Sequence, residues 1–138
     1  CITMNLETVL YYFAGIDKED FKLAEPLFVK RQYKKGQLMN IQNKQGGDLG
    51  YIEKGLFRSY YNDPATGKEI NLFFFQEYQF LFSFLMLDKN GESNYYIQAI
   101  EDCEVMQISR KDLLHLYNTS HKWERFGRLL AEEYYRGS

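Results

Sequence analysis

The chain has 138 residues, with 17 Lys and Arg residues against 19 Asp and Glu residues, so its formal net charge is -2. A chain of this length forms one domain that buries roughly two-thirds of the surface its unfolded form exposes, so it needs no disulfide or metal ion for stability. The lack of a basic excess disfavours a free-standing nucleic-acid binder. Aromatic residues make up 17% of the sequence, a bias typical of strand-rich proteins because such side chains fit a pleated, half-buried surface.

Two short helices are predicted at the start of the chain. Residues 6–13 carry apolar side chains at helical spacing, and Asp17 is typical of an N-cap that opens a second helix, which ends near Pro26. From Leu27 the apolar period changes to two residues, which predicts the first strand, ended by Gly36.

The following segments continue this strand pattern. Six more strand-like runs are separated by turn sequences, namely residues 38–42, 49–53, 56–61, 69–75, 95–99 and 103–108. Many short strands at regular spacing favour a sandwich or an antiparallel jelly-roll (double-stranded β-helix) barrel. We therefore predict a mainly β fold with flanking helices, in which residues 1–26 form the helices, 27–108 the β-barrel and 109–138 the C-terminal helices.

The C-terminal segment returns to helical spacing. Ser109 with Asp112 forms a capping-box-like start for a helix over residues 110–117, and Ser120 is placed to cap a last helix. That last helix carries one apolar stripe, made of Trp123, Phe126, Leu129, Leu130 and Tyr134. Such a stripe must be buried, either on the barrel or on a second copy of the chain.

The cysteines, the apolar stretches and the chain ends indicate the cellular setting of the protein and whether the chain is a fragment. Cys1 and Cys103 form no metal-ligand or redox spacing, which favours a reducing, cytoplasmic setting. The longest apolar stretch, residues 80–87, is far shorter than a membrane span, and no export signal is visible. Because the chain starts at Cys1 and stops inside a helical pattern, we expect it to be a fragment of a longer protein.

Several stretches, taken in order, carry a resemblance to a known family. They read YKKGQL at 33–38, GDLGYIEKGLFR at 47–58, GKEI at 67–70, AIEDCEV at 99–105 and ISRKDL at 108–113. This set resembles the cyclic-nucleotide-binding domain of Crp-Fnr type bacterial transcription regulators. The resemblance implies one sensing domain over residues 1–138, a long C-terminal helix that forms a homodimer, and DNA contact only through a helix-turn-helix domain missing from this chain.

The ligand site that the resemblance implies lacks its signature side chains. Members that bind cyclic nucleotides use a Gly-Glu-Leu, which aligns with Phe82, Ser83 and Phe84, and an Arg followed by a small hydroxyl residue, which aligns with Ser93 and Asn94. Losing the charge-assisted hydrogen bonds of the Arg costs ~1.5 to 3 kcal/mol each. Affinity for cyclic AMP is therefore expected to fall by at least ~100-fold relative to a matched member.

Two interpretations of the aromatic residues at this place remain open. Together with residues 73–75 they could line a pocket for an apolar or flat ligand, with polar anchors beside them. The aromatic members are Phe82, Phe84, Tyr95 and Tyr96, and the anchors are Ser83, Ser93 and Asn94. The interpretation we favour is that the aromatic side chains fill the former phosphate pocket as core, since close packing is the default for interior rings.

These observations predict a non-enzymatic effector-sensing domain that has no cofactor. The histidines, His115 and His121, do not have metal-ligand spacing, and no catalytic triad can be assembled. The partners expected are a second copy of the chain and an unidentified small-molecule effector, with no membrane. The alternatives are a jelly-roll dimerisation module that binds nothing and a cupin-like metalloenzyme.

Overall fold

The computed structural model describes residues 4–39, 48–82 and 95–137. Within these ranges the helices are α1 (Leu6–Ala14), α2 (Lys18–Ala24), α3 (Arg110–Thr119) and α4 (His121–Gly137), and a 3-10 turn, Glu25–Leu27, follows α2. The strands are β1 (Val29–Tyr33), β2 (Leu38–Met39), β3 (Asp48–Lys54), β4 (Phe57–Asn62), β5 (Glu69–Phe75), β6 (Phe80–Phe82), β7 (Tyr95–Ala99) and β8 (Cys103–Ser109).

The predicted helix caps are confirmed by their hydrogen bonds. Asp17 Oδ1 accepts from the backbone N–H of Asp20 at 3.0 Å, which satisfies an otherwise unpaired donor in the first turn of α2. Ser109 Oγ accepts from the Asp112 N–H at 3.1 Å. Ser120 Oγ accepts from the Trp123 N–H at 3.3 Å, so α4 begins where the sequence predicts.

The strands form two antiparallel four-stranded sheets. The first sheet has the order β1-β8-β3-β6 and the second the order β2-β7-β4-β5. This confirms a mainly β fold with flanking helices. Two details of the prediction are wrong: Leu27 lies in the 3-10 turn that begins after α2, and the three-residue strand β6 was not predicted, because its run of apolar residues shows no alternation.

Two apolar cores lie on opposite faces of the first sheet. Along β3, Ile52 points towards the second sheet, whereas Leu49 and Tyr51 point towards the helices, as the two-residue period of a strand requires. The core between the sheets contains Tyr33, Met39, Phe57, Phe75, Leu81, Ile97, Ala99 and Val105. The core beneath the helices contains Leu6, Leu10, Phe21, Phe82, Ile108, Leu113 and the buried side of α4.

The apolar stripe of α4 packs against the chain's own core. Trp123 and Phe126 are fully buried, and Leu130 is 5% exposed. The ring of Phe126 contacts those of Phe13 and Phe80, with centroid distances of 5.9 Å and 5.2 Å. The interpretation of Trp123, Phe126 and Leu130 as dimer contacts is therefore corrected, because a side chain buried in its own domain has no surface to offer a second copy.

Candidate ligand-binding cleft

A cleft of about 410 Å³ opens where α1, the second sheet, strand β6 and α4 meet. Its walls come from two residues of α1, the end of β5, the turn into β6, strand β6 itself and the C-terminal half of α4. The described lining residues are Val9, Phe13, Phe73, Phe74, Phe75, Tyr78, Gln79, Phe80, Phe82, Leu130, Glu133 and Tyr134. The volume is within the range of small-molecule sites.

Aromatic rings dominate the walls, and Tyr134 joins α4 to both sheets. The Tyr134 ring lies 5.8 Å from that of Phe73 in the second sheet and 5.2 Å from that of Phe82 in the first, measured between centroids. Any ligand in the cleft would therefore contact α4 as well as the strands. Apolar walls with few polar groups are typical of small-molecule sites.

The polar groups of the described lining are few and include no basic side chain. Glu133 carries the only formal charge among these residues. The Gln79 side chain is engaged locally, since its Oε1 accepts from the Gln76 N–H at 2.9 Å. The described part of the cleft therefore offers no cation to pair with a phosphate group, which charge-assisted hydrogen bonds normally hold.

The three predicted pocket residues that the structure describes do not come together in one place. Phe82 lines the cleft. Tyr95 points into the space between the sheets, and its ring lies 5.9 Å from that of Tyr61. Tyr96 points to the opposite face of β7 and stacks on Tyr60 at 5.4 Å, so its assignment to the same pocket is corrected. Alternation along the strand separates adjacent tyrosines in this way.

The other four predicted pocket residues, Ser83, Phe84, Ser93 and Asn94, lie outside the described residues. Their assignment to the ligand site stays a prediction.

Arg58, a basic residue near Tyr96, contacts side chains on the outer face of the second sheet. The Arg58 guanidinium lies 4.1 Å from the centroid of the Tyr60 ring. It donates to Gln98 Oε1 at 2.9 Å and 2.7 Å, and to Asn71 Oδ1 at 2.9 Å. These contacts join β4, β5 and β7, so Arg58 stabilises the sheet outside the cleft and is not free to bind an anion inside it.

Sequence reasoning missed much of the cleft. The Phe73–Phe75 run was associated with a pocket, and Phe82 was assigned to it, but the α1 residues and Tyr78 were not. The sequence places Phe13 on the apolar face of a helix. Its position opposite β6 could not be predicted, because it depends on how α1 packs. Tyr78 has a φ of 71°, which lies in the left-handed region. A tyrosine in the sequence gives no indication of such a backbone angle.

The first turns of α4 are held by polar contacts to α1 and α2. Lys122 Nζ lies 2.8 Å from Asp17 Oδ2 and 3.3 Å from Asp20 Oδ2. The hydrogen bond from Lys122 holds the pKa of the Asp17 carboxyl well below its usual range, and the same bond raises the pKa of Lys122. Arg125 Nη1 donates to the Ala14 carbonyl at 2.8 Å. The N-terminal half of α4 is thus anchored, and its C-terminal half forms a wall of the cleft.

Comparison with known proteins decides the family. The family described as "Cyclic nucleotide-binding domain" matches residues 30–120, which is most of the chain. The chain belongs to the cyclic nucleotide-binding domain family. Phe82 lines the aromatic cleft. It stands at the position where the sequence comparison with the family predicts that ligand-binding members have a glycine.

Solved structures of this fold include bacterial transcription regulators. The catabolite activator protein of Thermus thermophilus is 25% identical, with a TM-score of 0.70 over 94% of this chain and 59% of its own. The sensor domain of the regulator DNR of Pseudomonas aeruginosa has a TM-score of 0.71 at 17% identity, over 93% of this chain and 82% of its own. The chain thus spans about three-fifths of the Thermus protein, and its cyclic nucleotide-binding domain resembles the sensor part of Crp-Fnr type regulators.

One further comparison, and a check of the helices for membrane spans, are negative. A search by sequence among curated proteins finds no significant match. Among the described residues, no helix combines the length and the apolar character that a bilayer crossing requires.

Proposed function

We propose that this cyclic nucleotide-binding domain is the effector-sensing domain of a Crp-Fnr type transcription regulator whose effector is not cyclic AMP. The observation that carries the proposal is the aromatic cleft, whose described lining has Glu133 as its only charged residue. A cyclic nucleotide brings a phosphate that needs cationic or amide partners, and burying it without them is costly. A ligand with an apolar surface and without a negative charge fits these walls better.

The mechanism follows from the way α4 is held. Contacts of Lys122 and Arg125 fix its first turns, whereas Tyr134 rests on the rings of Phe73 and Phe82. A ligand that enters between Tyr134 and the strands would favour conformations in which the C-terminal half of α4 is displaced. Such a population shift would reach a DNA-reading domain through whatever follows α4 in the longer protein.

The remaining parts of this proposal rest on the family resemblance. They are a jelly-roll arrangement of the two sheets, a cytoplasmic, non-enzymatic protein, and a homodimer formed through α4. Among the described residues of α4, the exposed side chains are mostly charged, including Arg128 and Glu132, which pair at 3.1 Å. A dimer through α4 would use this face together with half-buried Leu129.

A second candidate, a dimerisation module that binds nothing, is favoured by the packing between the sheets. Phe57, Ile97 and Val105 are fully buried there, so the barrel interior itself is filled. This candidate predicts that the cleft takes up no ligand. A metalloenzyme has less support, because His115 and His121 are both exposed on the C-terminal helices.

Two binding measurements test the proposal. Calorimetry with cyclic AMP is expected to show no binding at micromolar concentrations, and a micromolar or tighter Kd would contradict the argument from Phe82. The neutral dye Nile red is expected to bind in the cleft and to bind several-fold more weakly to Tyr134→Ser, which removes a lining ring that contacts those of Phe73 and Phe82.

The control for the dye measurement is Leu114→Ser. Leu114 is an exposed apolar residue of α3, 45% exposed and outside the cleft lining. If both variants reduce dye binding equally, or neither does, the cleft is not a ligand site and the module that binds nothing is the better description.

A further inference from the structure

The rim of the cleft carries one negative charge among its described residues. Glu133 is the one formally charged residue in its described lining, and its side chain is 59% exposed. Arg136 approaches it at 3.5 Å, but Arg136 is itself 76% exposed. A pair this exposed contributes little, so the carboxylate remains open to a competing cation.

The walls behind this carboxylate also favour a positive charge. The face of an aromatic ring carries a negative potential, and a cation within ~6 Å of the ring centroid is attracted to it. Tyr134 and Phe82 meet edge to face, at an interplanar angle of 69°, so the two rings present surfaces at a large angle to each other. Aromatic rings at different angles, in a cleft that a carboxylate also lines, are the elements from which sites for alkylated amines are built.

The backbone of Tyr78 provides an independent observation. Its φ of 71° is a conformation that bulky side chains rarely adopt, and such strain concentrates at ligand sites. Two backbone hydrogen bonds hold the turn in place, from Tyr78 N–H to the Ile52 carbonyl at 2.7 Å and from Ile52 N–H to the Gln79 carbonyl at 3.1 Å. The side chain is 49% exposed and lines the cleft. A glycine would relieve the strain, but it would remove this ring.

We propose that the effector of this domain is an organic cation, namely an amine or quaternary ammonium group attached to an apolar body. The apolar body lies against Phe73, Phe82 and Tyr134, and the cationic group lies between the Tyr78 ring and the Glu133 carboxylate. This inference rests on the proposed sensing function and adds the charge of the ligand to it.

Three probes of similar shape separate charge from apolar contact. They are benzyltrimethylammonium, benzyl methyl sulfone and phenylmethanesulfonate, which are a cation, a neutral molecule and an anion on the same benzyl group. We expect chemical-shift titration of the 138-residue chain at low salt to give a Kd for the cation at least ~10-fold lower than for the anion, with the sulfone between them. The preference is expected to decrease as salt is added, since part of it is screened.

The variant Glu133→Gln tests the carboxylate, with Glu132→Gln as its control. Both glutamates lie on α4 and pair with an arginine, Glu132 with Arg128 at 3.1 Å, but only Glu133 lines the cleft. Glu133→Gln is expected to weaken cation binding by about three-fold and to leave sulfone binding unchanged. Glu132→Gln is expected to change neither.

The variant Tyr78→Asn tests the strained ring. Asparagine tolerates the left-handed conformation, so the unfolding midpoint is expected to stay the same or to rise. Cation binding is expected to weaken by about three-fold to ten-fold because the ring is lost. A weaker titration at an unchanged midpoint therefore reports the site and not the fold.

Equal affinity for cation and anion, equal effects of the two glutamine variants, or no binding of any probe at the cleft would each overturn the proposal. The dye measurement keeps this separate from the sensing function. If Tyr134→Ser weakens Nile red binding while the cation shows no preference, only the charge of the effector is wrong.

Discussion

Gly55 shows how one residue holds the hairpin between β3 and β4 against the start of β8. Its φ is +104°, and a Cβ added there would overlap Cys103 Sγ and lie 2.8 Å from the Asp102 carbonyl oxygen. Glycine is therefore required twice, once for the backbone conformation and once for the close approach. A glycine in the turn between two strand-like runs is typical of the first requirement, whereas the second depends on β8 passing behind the turn.

Substitution of Gly55 by alanine is expected to lower the free energy of unfolding by about 2 to 4 kcal/mol, because backbone strain is added to a clash with backbone atoms. The matched control is Gly67→Ala. Gly67 also has a positive φ, +72°, but nothing lies within 4 Å of its added Cβ, so about 1 kcal/mol is expected. Urea unfolding of both variants checks this, and equal losses would show that the contact with Cys103 is unimportant.

The buried position of Cys103 lowers the reactivity of its thiol. It is 2% exposed, and its Sγ donates to the Glu101 carbonyl at 3.1 Å. Burial raises the pKa of its thiol, which lowers the fraction of reactive thiolate at neutral pH. We expect alkylation by iodoacetamide at pH 8 to be much slower in the folded chain than in urea, measured by mass spectrometry in a Cys1→Ser background. Equal rates would show that the thiol is accessible.

At the scale of elements, the junction of α2 with α4 decides where α4 can move. Lys122 bridges the Asp17 and Asp20 carboxylates, and the Trp123 indole N–H donates to the Asp20 carbonyl at 3.0 Å. Three polar contacts thus converge on the first turn of α4. In the far half of the helix, the Tyr134 ring lies against those of Phe73 and Phe82, which line the cleft, so a ligand there would contact this half directly.

Removing the Lys122 charge is expected to weaken this junction in a pH-dependent way. Because the pKa of Asp17 is lower in the folded chain than its ordinary value of 3.8, its stabilising effect is present above that value and is lost as pH falls through the folded pKa. Lys122→Met is therefore expected to lower the thermal midpoint at pH 7, by an amount that decreases below about pH 4.

Lys18→Met is the control for this measurement. Lys18 is exposed at the start of α2, and the substitution changes the net charge by the same amount. If it reproduces the pH dependence of Lys122→Met, the effect reflects overall charge and not the contact with Asp17.

At the scale of the whole molecule, the helices complete the fold by covering one sheet. The outer face of the first sheet carries Leu49, Tyr51 and Ile108, each almost fully buried beneath the helices. The stripe of α4 supplies Trp123, the largest of its fully buried side chains, together with Phe126. The domain therefore depends on α4 for its own stability, whether or not a second copy binds.

A conservative change in the stripe separates internal packing from dimer contact. Trp123→Phe is expected to lower the free energy of unfolding by about 1 to 3 kcal/mol, because it leaves a gap in a fully buried site and removes the indole hydrogen bond to Asp20. The sedimentation coefficient of the folded protein is expected to stay the same. Conversion of a dimer to a monomer by this variant would restore the stripe as a dimer contact. Leu114→Ala, at an exposed position of α3, is expected to change neither quantity.

The residue pattern predicted local structure well wherever hydrogen bonds are local. The caps at Asp17, Ser109 and Ser120 depend on donors three residues away, and they form as expected. The strands at 69–75 and 95–99 were also correct to the residue, since alternation and flanking turns define them. Strand β6 was not predicted, because a short run buried on both faces shows no alternation of apolar and polar residues.

The candidate site could be predicted only in part, for a geometric reason. Phe82 and the Phe73–Phe75 run were found by composition, but Tyr96 was placed wrongly, because the position of a strand in its sheet decides which of its faces meets a ligand. Phe13 and Tyr134 reach the cleft from opposite ends of the chain. No local pattern can report such a meeting.

By itself, the sequence determined the family and the mainly β fold with its helices at both ends, because each depends on residue identity and short-range spacing. Only the tertiary structure decided that the stripe of α4 is buried within its own domain, that Tyr95 and Tyr96 face different spaces, and that Tyr78 and Glu133 share the rim of one aromatic cleft. The reason is that burial and proximity are set by how sheets and helices pack across long distances in the chain, and residue spacing carries no record of that packing.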